Sequence, residues 1–422
     1  ADRAILAVLA QPIKEELHLT DTHLGILQGL GFAILYSVLG VPLGLLAERT
    51  NRKRLIAACV AVWSAMTAFC GLASGFFTLL LGRIGVGIGE AGVQPPTSSL
   101  LADHFPPTRR ASVMAIVTLG SPFGFLLGQS FGGWVASEWG WRAAFLAMGV
   151  PGILVALLVL FTLREPPRGL VEGVVSTDPA PSLMTVLRFL LAKPTYVHLL
   201  VGTTVAGFTF NAVANFVLPF YLRGFDVSLA AMGAIFGIVV FTSNGLGMLA
   251  GGFGFDWGPA AAISLCAPLY FGAFYSTDMA ISLAFIWLAN FVLITYFAPT
   301  MATMQNLAGP RMRATTAALT ALVGGLLGAG LGPTVLGIAS DFFATRLFTG
   351  TDFIASCPGG RGPQGGPAAL DQACQAASTQ GLRYALILML VFFFWATIHY
   401  LLAARTLRKD LYVPEVIPAQ PV

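Results

Sequence analysis

Charge is scarce in this chain, because only 10% of its 422 residues are Asp, Glu, Lys or Arg while 56% are hydrophobic. A soluble domain carries about 25% charged residues, so most of this surface is unsuited to water. A soluble protein with a single hydrophobic core of this size is excluded as well, because such cores stop growing at about 250–300 residues. The sequence contains many apolar runs close to the ~20 residues that cross a bilayer. It therefore indicates a membrane protein.

The motifs of several other function classes are missing from the sequence. The formal charge of +4 is spread over the loops without a basic run, which argues against a nucleic-acid partner. No Walker motif is present, so we expect no use of ATP. The five His residues are scattered and form no metal constellation. We find no clustered catalytic set, so we predict that the chain is not an enzyme and needs no cofactor or metal.

The fold class that follows is an all-α membrane protein, because a helix satisfies every backbone N–H and C=O group within its own segment. We predict twelve transmembrane helices in two six-helix halves. They are placed at residues 1–13, 23–46, 54–74, 77–103, 111–136, 141–163, 195–221, 228–255, 259–276, 279–304, 314–342 and 381–404. Because the chain opens on Ala1 inside an apolar run, helix 1 is expected to be truncated by roughly ten residues.

The chain divides into an N-terminal half, a linker, a C-terminal half and a tail. The boundaries are placed at 1–163, 164–194, 195–405 and 406–422, with a long outer loop at 343–380 and an interfacial helix at 183–191 in the linker. Landmarks of the first half recur about 200 residues later. Pro96 corresponds to Pro299, and Arg110-Ala111 to Arg313-Ala314. Since this offset covers six helices, the two halves share one topology.

Orientation follows from the loop Lys and Arg residues, most of which lie on the side of the 164–194 linker. The positive-inside rule places that side in the cytoplasm, together with both termini. We expect a multi-pass protein of the bacterial inner (cell) membrane. A run of glycines at a spacing of four, from Gly120 to Gly132, predicts that helix 5 closely approaches helix 8 of the other half.

Four ionisable residues of the first half are predicted near the membrane midplane: Asp2, Arg3, Arg83 and Glu90. Each such charge costs about 2.5–3.5 kcal/mol at the centre of a membrane helix, so the four must be paired or wet. One interpretation is a static ion-pair network. The other assigns proton coupling to Asp2 and Glu90, because the pKa of a carboxylate in low dielectric with a movable Arg partner can cross neutral pH. Arg3 and Arg83 are then charge partners or anion-binding groups, since guanidinium stays protonated.

The second half places neutral polar and aromatic residues at the same depth. They are Phe208, Asn211, Asn215, Asn244, Asn290 and Tyr296. One interpretation is helix packing through interhelical hydrogen bonds. The other is that they line a substrate cavity that takes the apolar part of a ligand.

An acidic residue ends helix 2, where it opposes the helix macrodipole. Glu48 closes the string from Gly44, and Arg49 and Arg52 follow it. Glu48 is thus placed for contact with another helix, and we predict that its partner is Arg313 at the start of helix 11. This string resembles motif A of the major facilitator superfamily, with Glu48 where Asp is usual. Gly252 to Asp256 resembles a second copy without the basic tail. The resemblance implies a cytoplasmic gate that includes Glu48, Arg49, Arg52, Asp256 and Arg313.

Within that superfamily the charged residues of the first half are similar to those of the Spinster family of lipid transporters. Asp2-Arg3 matches its helix 1 pair, and Arg83 to Glu90, followed by Ala91, matches its helix 4 string. The resemblance implies the major facilitator fold. It also implies proton-linked transport of lysophospholipid-like or sphingoid-phosphate-like molecules.

Two of the five cysteines, Cys357 and Cys374, lie in the outer loop. An oxidising outer compartment favours a disulfide between them. The alternative is two free thiols in a flexible loop.

We therefore expect a monomeric secondary transporter that works by alternating access. Its partners would be the bilayer and a small lipid-like substrate, and a proton gradient would supply the energy. A proton-driven multidrug efflux antiporter needs the same kind of cavity and stays as an alternative. A channel would need a selectivity filter, and saturable, pH-dependent flux would separate a carrier from it.

Overall fold

The computed structural model describes residues 2–166, 182–252, 258–308 and 312–411, and every regular element in these ranges is helical. The elements of the first half are α1 (Asp2–Glu16), α2 (Asp21–Gln28), α3 (Leu30–Arg49), α4 (Arg52–Cys70), α5 (Phe76–Ala91), α6 (Gln94–His104) and α7 (Pro107–Thr162). The linker carries α8 (Leu183–Leu191).

The second half continues with α9 (Pro194–Gly224), α10 (Leu229–Gly252), α11 (Gly258–Tyr275), α12 (Met279–Thr295), α13 (Phe297–Asn306) and α14 (Arg313–Val323). After α14 come a π-helix (Gly324–Gly330), α15 (Leu331–Leu347), α16 (Phe353–Ser356), a 3-10 turn (Pro358–Gly360), α17 (Ala368–Met389) and α18 (Val391–Asp410).

Ten helices of the described chain are long and apolar enough to cross a membrane. The short α1 is not among these ten, and the segment Gly120–Thr162 of α7 is 43 residues long. That helix contains a break at Gly140, whose φ of 82° lies in the left-handed region that glycine adopts freely. With α7 read as two spans and α1 added, the helices are consistent with the twelve predicted.

The last span begins earlier than predicted, at Ala368 instead of residue 381, and it reaches Asp410. The predicted outer loop 343–380 is correspondingly shorter, because α15 also extends to Leu347. Hydropathy marks only the apolar part of a helix. Residues 368–380 are polar but rich in alanine, the strongest helix former. Their Cys374, Ala377 and Ser378 are buried.

The halves meet mainly along two helix pairs. One joins α7 to α10, where a Cβ on Gly233 would overlap the Gln129 carbonyl oxygen, so the backbones touch. Predicted helices 5 and 8 therefore pack closely. The glycines at the contact are Gly133 of α7 and Gly233 and Gly237 of α10, whereas Gly132 of α7 faces Ile5 of α1. The other pair joins α2 to α15.

The two ends of the bundle are named by the segments that lie there. The linker face holds Arg52, Glu165 and α8, and the disulfide face holds Lys14, Asp21 and the segment between Cys357 and Cys374.

Candidate functional site

A central cavity of about 250 Å³ lies between the two halves. Its walls are built by α1, α2, α3, α5 and α7 of the first half and by α9 to α12 and the π-helix of the second. The residues that carry its chemistry are Gln28, Phe32, Arg83, Phe125, Phe210, Asn211, Asn215, Phe236, Asn244, Tyr270 and Asn290.

Arg83 supplies the charge of the cavity, and no other charged residue lines it in the described part of the chain. Its side chain is only 3% exposed. Nε donates a long hydrogen bond of 3.4 Å to the carbonyl oxygen of Leu27, and the guanidinium carbon lies 5.4 Å from the centre of the Phe32 ring. Because guanidinium keeps its proton, the first-half wall is permanently cationic.

The structure does not place the other predicted charged residues, Asp2, Arg3 and Glu90, in the wall of the cavity. Glu90 lies seven residues after Arg83 near the end of α5, is partly buried, and does not line the cavity. Asp2 and Arg3 open α1, but their side chains lie outside the part that the structure describes. The proton-coupling role of Asp2 and Glu90 stays a prediction.

Four of the six residues predicted for the cavity do line it: Asn211, Asn215, Asn244 and Asn290. Phe208 and Tyr296 do not. Phe208 packs edge-on against Phe392, with ring centres 5.0 Å apart, and Tyr296 packs against Tyr400 at 5.9 Å. Both rings face α18 of their own half, so neither residue lines the cavity described here. Depth in the membrane does not tell which face of a helix a residue occupies.

Sequence reasoning missed Gln28, the last residue of α2. It lines the cavity and is only 8% exposed, and neither its side-chain oxygen nor its nitrogen has a hydrogen-bond partner. A buried amide without partners is costly, so such a group in a cavity indicates a ligand or water that satisfies it. The sequence signal was the adjacent Gly29, where α2 and α3 are interrupted.

An ion-pair network closes the disulfide face, and it joins the halves. Asp21 of the first half receives hydrogen bonds from Lys14 Nζ at 2.8 Å and from Nη1 and Nη2 of Arg223 at 2.8 and 2.7 Å. Ser340 of the second half donates to the same carboxylate at 2.6 Å. The side chains of Lys14, Asp21 and Arg223 are 2–4% exposed.

Asp341 adds a second link at the same face. Its carboxylate accepts hydrogen bonds from the backbone N–H groups of Asp21 and Thr22, at 3.0 and 2.7 Å, and from the Thr22 hydroxyl at 2.6 Å. These N–H groups open α2, where the positive end of the helix dipole favours an anion. A carboxylate of one half thus caps a helix of the other.

A second cluster surrounds Arg52 at the linker face, with partners that the sequence did not indicate. Its guanidinium pairs with Asp103, donates from Nε to Glu165 at 2.7 Å, and bonds Ser99 at 2.9 Å. Burial raises the pKa of the Glu165 carboxyl, but hydrogen bonds from the Lys53 backbone and from Arg52 outweigh it and hold that pKa below its usual value. All these residues belong to the first half or the start of the linker.

The remaining residues of the predicted gate are not joined to Arg52 by the described contacts. Arg49 and Arg313 are exposed at the ends of their helices. The side chain of Glu48 and the whole of Asp256 lie outside the described part. The predicted contact between Glu48 and Arg313 therefore stays a prediction.

Cys357 and Cys374 are bonded in the structure, with Cα atoms 5.5 Å apart. The segment between them lies against α1 of the first half. A Cβ on Gly359 would meet the Lys14 carbonyl oxygen at 2.8 Å, and Arg361 pairs with Glu15 at 3.3 Å. This segment of the second half reaches across the disulfide face.

Comparison with known proteins gives one consistent likeness. A family model described as Major Facilitator Superfamily matches residues 1–333. An "MFS-type efflux pump" of Mycolicibacterium smegmatis is 32% identical over 362 residues, which are 82% of each protein. "Protein spinster homolog 1" of Xenopus tropicalis is 28% identical over 374 residues, or 81% of this chain and 70% of that protein.

A solved structure shows the same architecture. The crystal structure of a bacterial homolog to the human lysosomal transporter Spinster, in an inward-facing and unoccupied conformation, is 31% identical to this chain. The two superimpose with a TM-score of 0.88 over 98% of this chain and 95% of that one. The predicted all-helical fold is confirmed.

Proposed function

Because the chain belongs to the major facilitator superfamily of membrane transporters, we propose that it is a secondary active transporter that carries an anionic, lipid-like amphiphile. The observation that carries this proposal is the composition of the central cavity. One buried Arg83 lines a space that is otherwise walled by neutral amides and by aromatic and aliphatic side chains.

The two ends of an amphiphile match different parts of this lining. Arg83 supplies the permanent charge and fixed donor geometry that suit a phosphate or carboxylate. The rings of Phe32, Phe125, Phe210 and Phe236 supply the apolar surface. Drug-sized ligands occupy sites of about 300–1,000 Å³, so the cavity of about 250 Å³ takes a headgroup and the first part of a chain. The resemblance to Spinster proteins supports a single-chain lysophospholipid or sphingoid phosphate.

Alternating access is the mechanism that the interfaces support. Ion pairs and backbone contacts join the halves at the disulfide face, and the similar crystal structure is inward-facing. We take the linker face to be cytoplasmic, the disulfide face to be external, and the described state to be inward-facing. Transport then requires that the Asp21–Arg223 contact breaks while the linker face closes.

Energy coupling is assigned to protons. Glu90 lies two helical turns from Arg83 along α5, and Asp2 opens α1 of the same half. A carboxylate that takes up a proton in one state and releases it in the other links substrate movement to the proton gradient. No cofactor takes part in this scheme.

The test is uptake of a fluorescent single-chain phosphate by vesicles that contain the purified protein. We expect saturable transport, reduced about tenfold or more in Arg83→Gln, because a hydrogen bond to a charged group contributes about 1.5–3 kcal/mol. Arg83→Lys should retain part of the activity. Arg188→Gln, an exposed change on α8, is the matched control and should transport as the wild type does.

The efflux alternative has one specific support, the 32% identity to the Mycolicibacterium smegmatis pump. The same vesicles distinguish the two functions. Transport of amphipathic organic cations without transport of single-chain phosphates would overturn the anionic-amphiphile proposal and favour efflux.

A further inference from the structure

One face of α18 carries a stripe of exposed residues that changes from apolar to basic. Phe394, Ile398 and Leu401 are each more than half exposed. Arg405 and Arg408, which are exposed as well, continue the same spacing of four and three. Residues at these spacings share one face of a helix. We call these five residues the α18 stripe, and it faces away from the bundle.

The length of the apolar part matches one leaflet of a bilayer. Arg405 lies eleven residues after Phe394, which is about 16 Å at the rise of an α-helix. Half of the hydrocarbon core of a bilayer is about 15 Å thick. Because α18 ends at the linker face, the two arginines lie at the level of the headgroups of the leaflet on that side.

The charge of the two arginines is not used within the described residues. No hydrogen bond or ion pair of the Arg405 or Arg408 side chain is described in residues 2–166, 182–252, 258–308 and 312–411. The acid at this end of α18, Asp410, is buried and accepts the Thr195 backbone N–H at 3.0 Å. Both guanidinium groups are therefore available to an anion from outside the chain.

The last helix of the first half ends differently. Its exposed apolar residues Leu154, Leu158 and Phe161 follow the same spacing. The residue four positions after Phe161 is Glu165, an acid that pairs with Arg52. An arginine pair at the end of an outward apolar stripe is thus a feature of α18 that this helix of the first half does not repeat.

We propose that the α18 stripe binds an anionic phospholipid of the leaflet on the linker face. The phosphate lies between Arg405 and Arg408, since guanidinium groups match phosphate oxygens in bidentate geometry. One acyl chain lies along Leu401, Ile398 and Phe394. Basic residues directly beyond a membrane helix attract anionic lipids. This surface is separate from the cavity of Arg83, and the proposal does not depend on the transported substrate.

The test compares phosphatidylglycerol with phosphatidylcholine of identical acyl chains. Each lipid is titrated into the purified protein in detergent, and native mass spectrometry measures the dissociation constant of the first lipid bound. Each exposed Lys or Arg near an anionic headgroup strengthens binding about fivefold. We therefore expect phosphatidylglycerol to bind about tenfold tighter than phosphatidylcholine, or more.

Variants assign this preference to α18. In Arg405→Gln/Arg408→Gln the ratio should fall to about two or less, because both cations are removed. Arg405→Lys/Arg408→Lys keeps the charge and should keep part of the ratio, which guards against loss of folding. The matched control is Arg54→Gln/Arg164→Gln, which removes two exposed arginines near Arg52 and Glu165 in the first half. It should bind as the wild type does.

Three results would overturn the proposal. The first is equal binding of the two lipids by the wild type, and the second is an unchanged ratio in well-folded Arg405→Gln/Arg408→Gln. The third is an equal loss in Arg54→Gln/Arg164→Gln, which would show that the charge of the whole face attracts the lipid. Glycerol phosphate in large excess should leave phosphatidylglycerol bound. Its displacement would show a phosphate site that does not use the apolar stripe, which also contradicts the proposal.

Discussion

Single residues give this cavity its chemistry, because one permanent charge lies among amides and rings in a low-dielectric space. Arg83 stands out in the sequence, since an arginine inside an apolar run is costly without a purpose. Gln28 does not stand out, because a neutral amide occurs in many membrane helices as a packing group. Its importance lies in the missing hydrogen-bond partners of its buried atoms.

The first residue-scale prediction concerns proton coupling. Glu90→Gln replaces the carboxylate by a neutral amide and keeps the size and polarity of the side chain. We expect transport that no longer changes with pH or with an imposed proton gradient, in a protein that still folds. Substrate uptake by vesicles from pH 5 to 8 measures this. A well-folded variant with the wild-type pH profile would show that Glu90 is a structural partner, and Asp2→Asn repeats the test on helix 1.

The second concerns Asp21, which balances two buried cations from different halves. Asp21→Asn removes the carboxylate that Lys14 and Arg223 both contact, and breaking a buried pair costs about 3–5 kcal/mol. Because the Arg223–Asp21 contact joins the two halves at the disulfide face, we expect the open state at this face to gain population. Spin labels on α2 and α15 should report longer distances.

The control for Asp21 is Glu16→Gln, since Glu16 pairs with Arg142 within the first half and both are well exposed. An exposed pair contributes about 0–1 kcal/mol, so the distance distribution should not move. Equal behaviour of Asp21→Asn and Glu16→Gln would mean that the network packs the fold without controlling access.

Helix-scale features were well predicted where hydropathy or spacing determines them. The spans and the 183–191 helix follow from apolar length and amphipathicity. Predicted helices 5 and 8 do approach each other, although Gly132 of the predicted glycine run faces α1 and Gly133 lies at the contact. The Ala-rich start of α17 was missed because it is helical without being apolar. The orientation of Phe208 and Tyr296 was also missed, because a helix that is hydrophobic on all sides has no periodicity to show its inner face.

The element-scale prediction concerns the contact of α2 with α15. A Cβ on Gly25 would overlap the Pro333 carbonyl oxygen, and one on Gly337 would overlap the Asp21 carbonyl oxygen. Gly25→Ala should force these helices apart at a cost of about 1–3 kcal/mol. Since the contact belongs to one state, populations should shift by roughly 5–150-fold toward opening of the disulfide face.

The same labels on α2 and α15 measure this shift. Gly40→Ala is the control, because a Cβ at Gly40 on α3 meets nothing within 4 Å. If Gly25→Ala left the distances as they are in Gly40→Ala, the glycine contact would be shown to tolerate a methyl group, and the closure would depend on the ion pairs alone.

At the scale of the whole molecule, the segment between Cys357 and Cys374 belongs to the second half and contacts α1 of the first half. Removing the bond in Cys357→Ser should lower the free energy of unfolding by about 3 kcal/mol, the value for closing a loop of about 15 residues. Thermal unfolding in a nanodisc measures it, and Cys357→Ser/Cys374→Ser should match the single variant. Non-reducing mass spectrometry should show the two peptides joined. Free alkylation of both thiols in unreduced protein would contradict the pairing.

The two ends of the transporter are fastened unequally. At the disulfide face the ion pairs Asp21–Arg223 and Glu15–Arg361 join the halves, whereas Arg52 at the linker face joins segments of the first half and the linker's start. We expect an empty carrier with this imbalance to spend most of its time closed at the disulfide face. The apparent dissociation constant seen from one compartment rises as the fraction of carriers facing it falls. Substrate supplied at the linker face should therefore saturate transport at lower concentration than substrate supplied opposite, although the direction of net flux still follows the gradients.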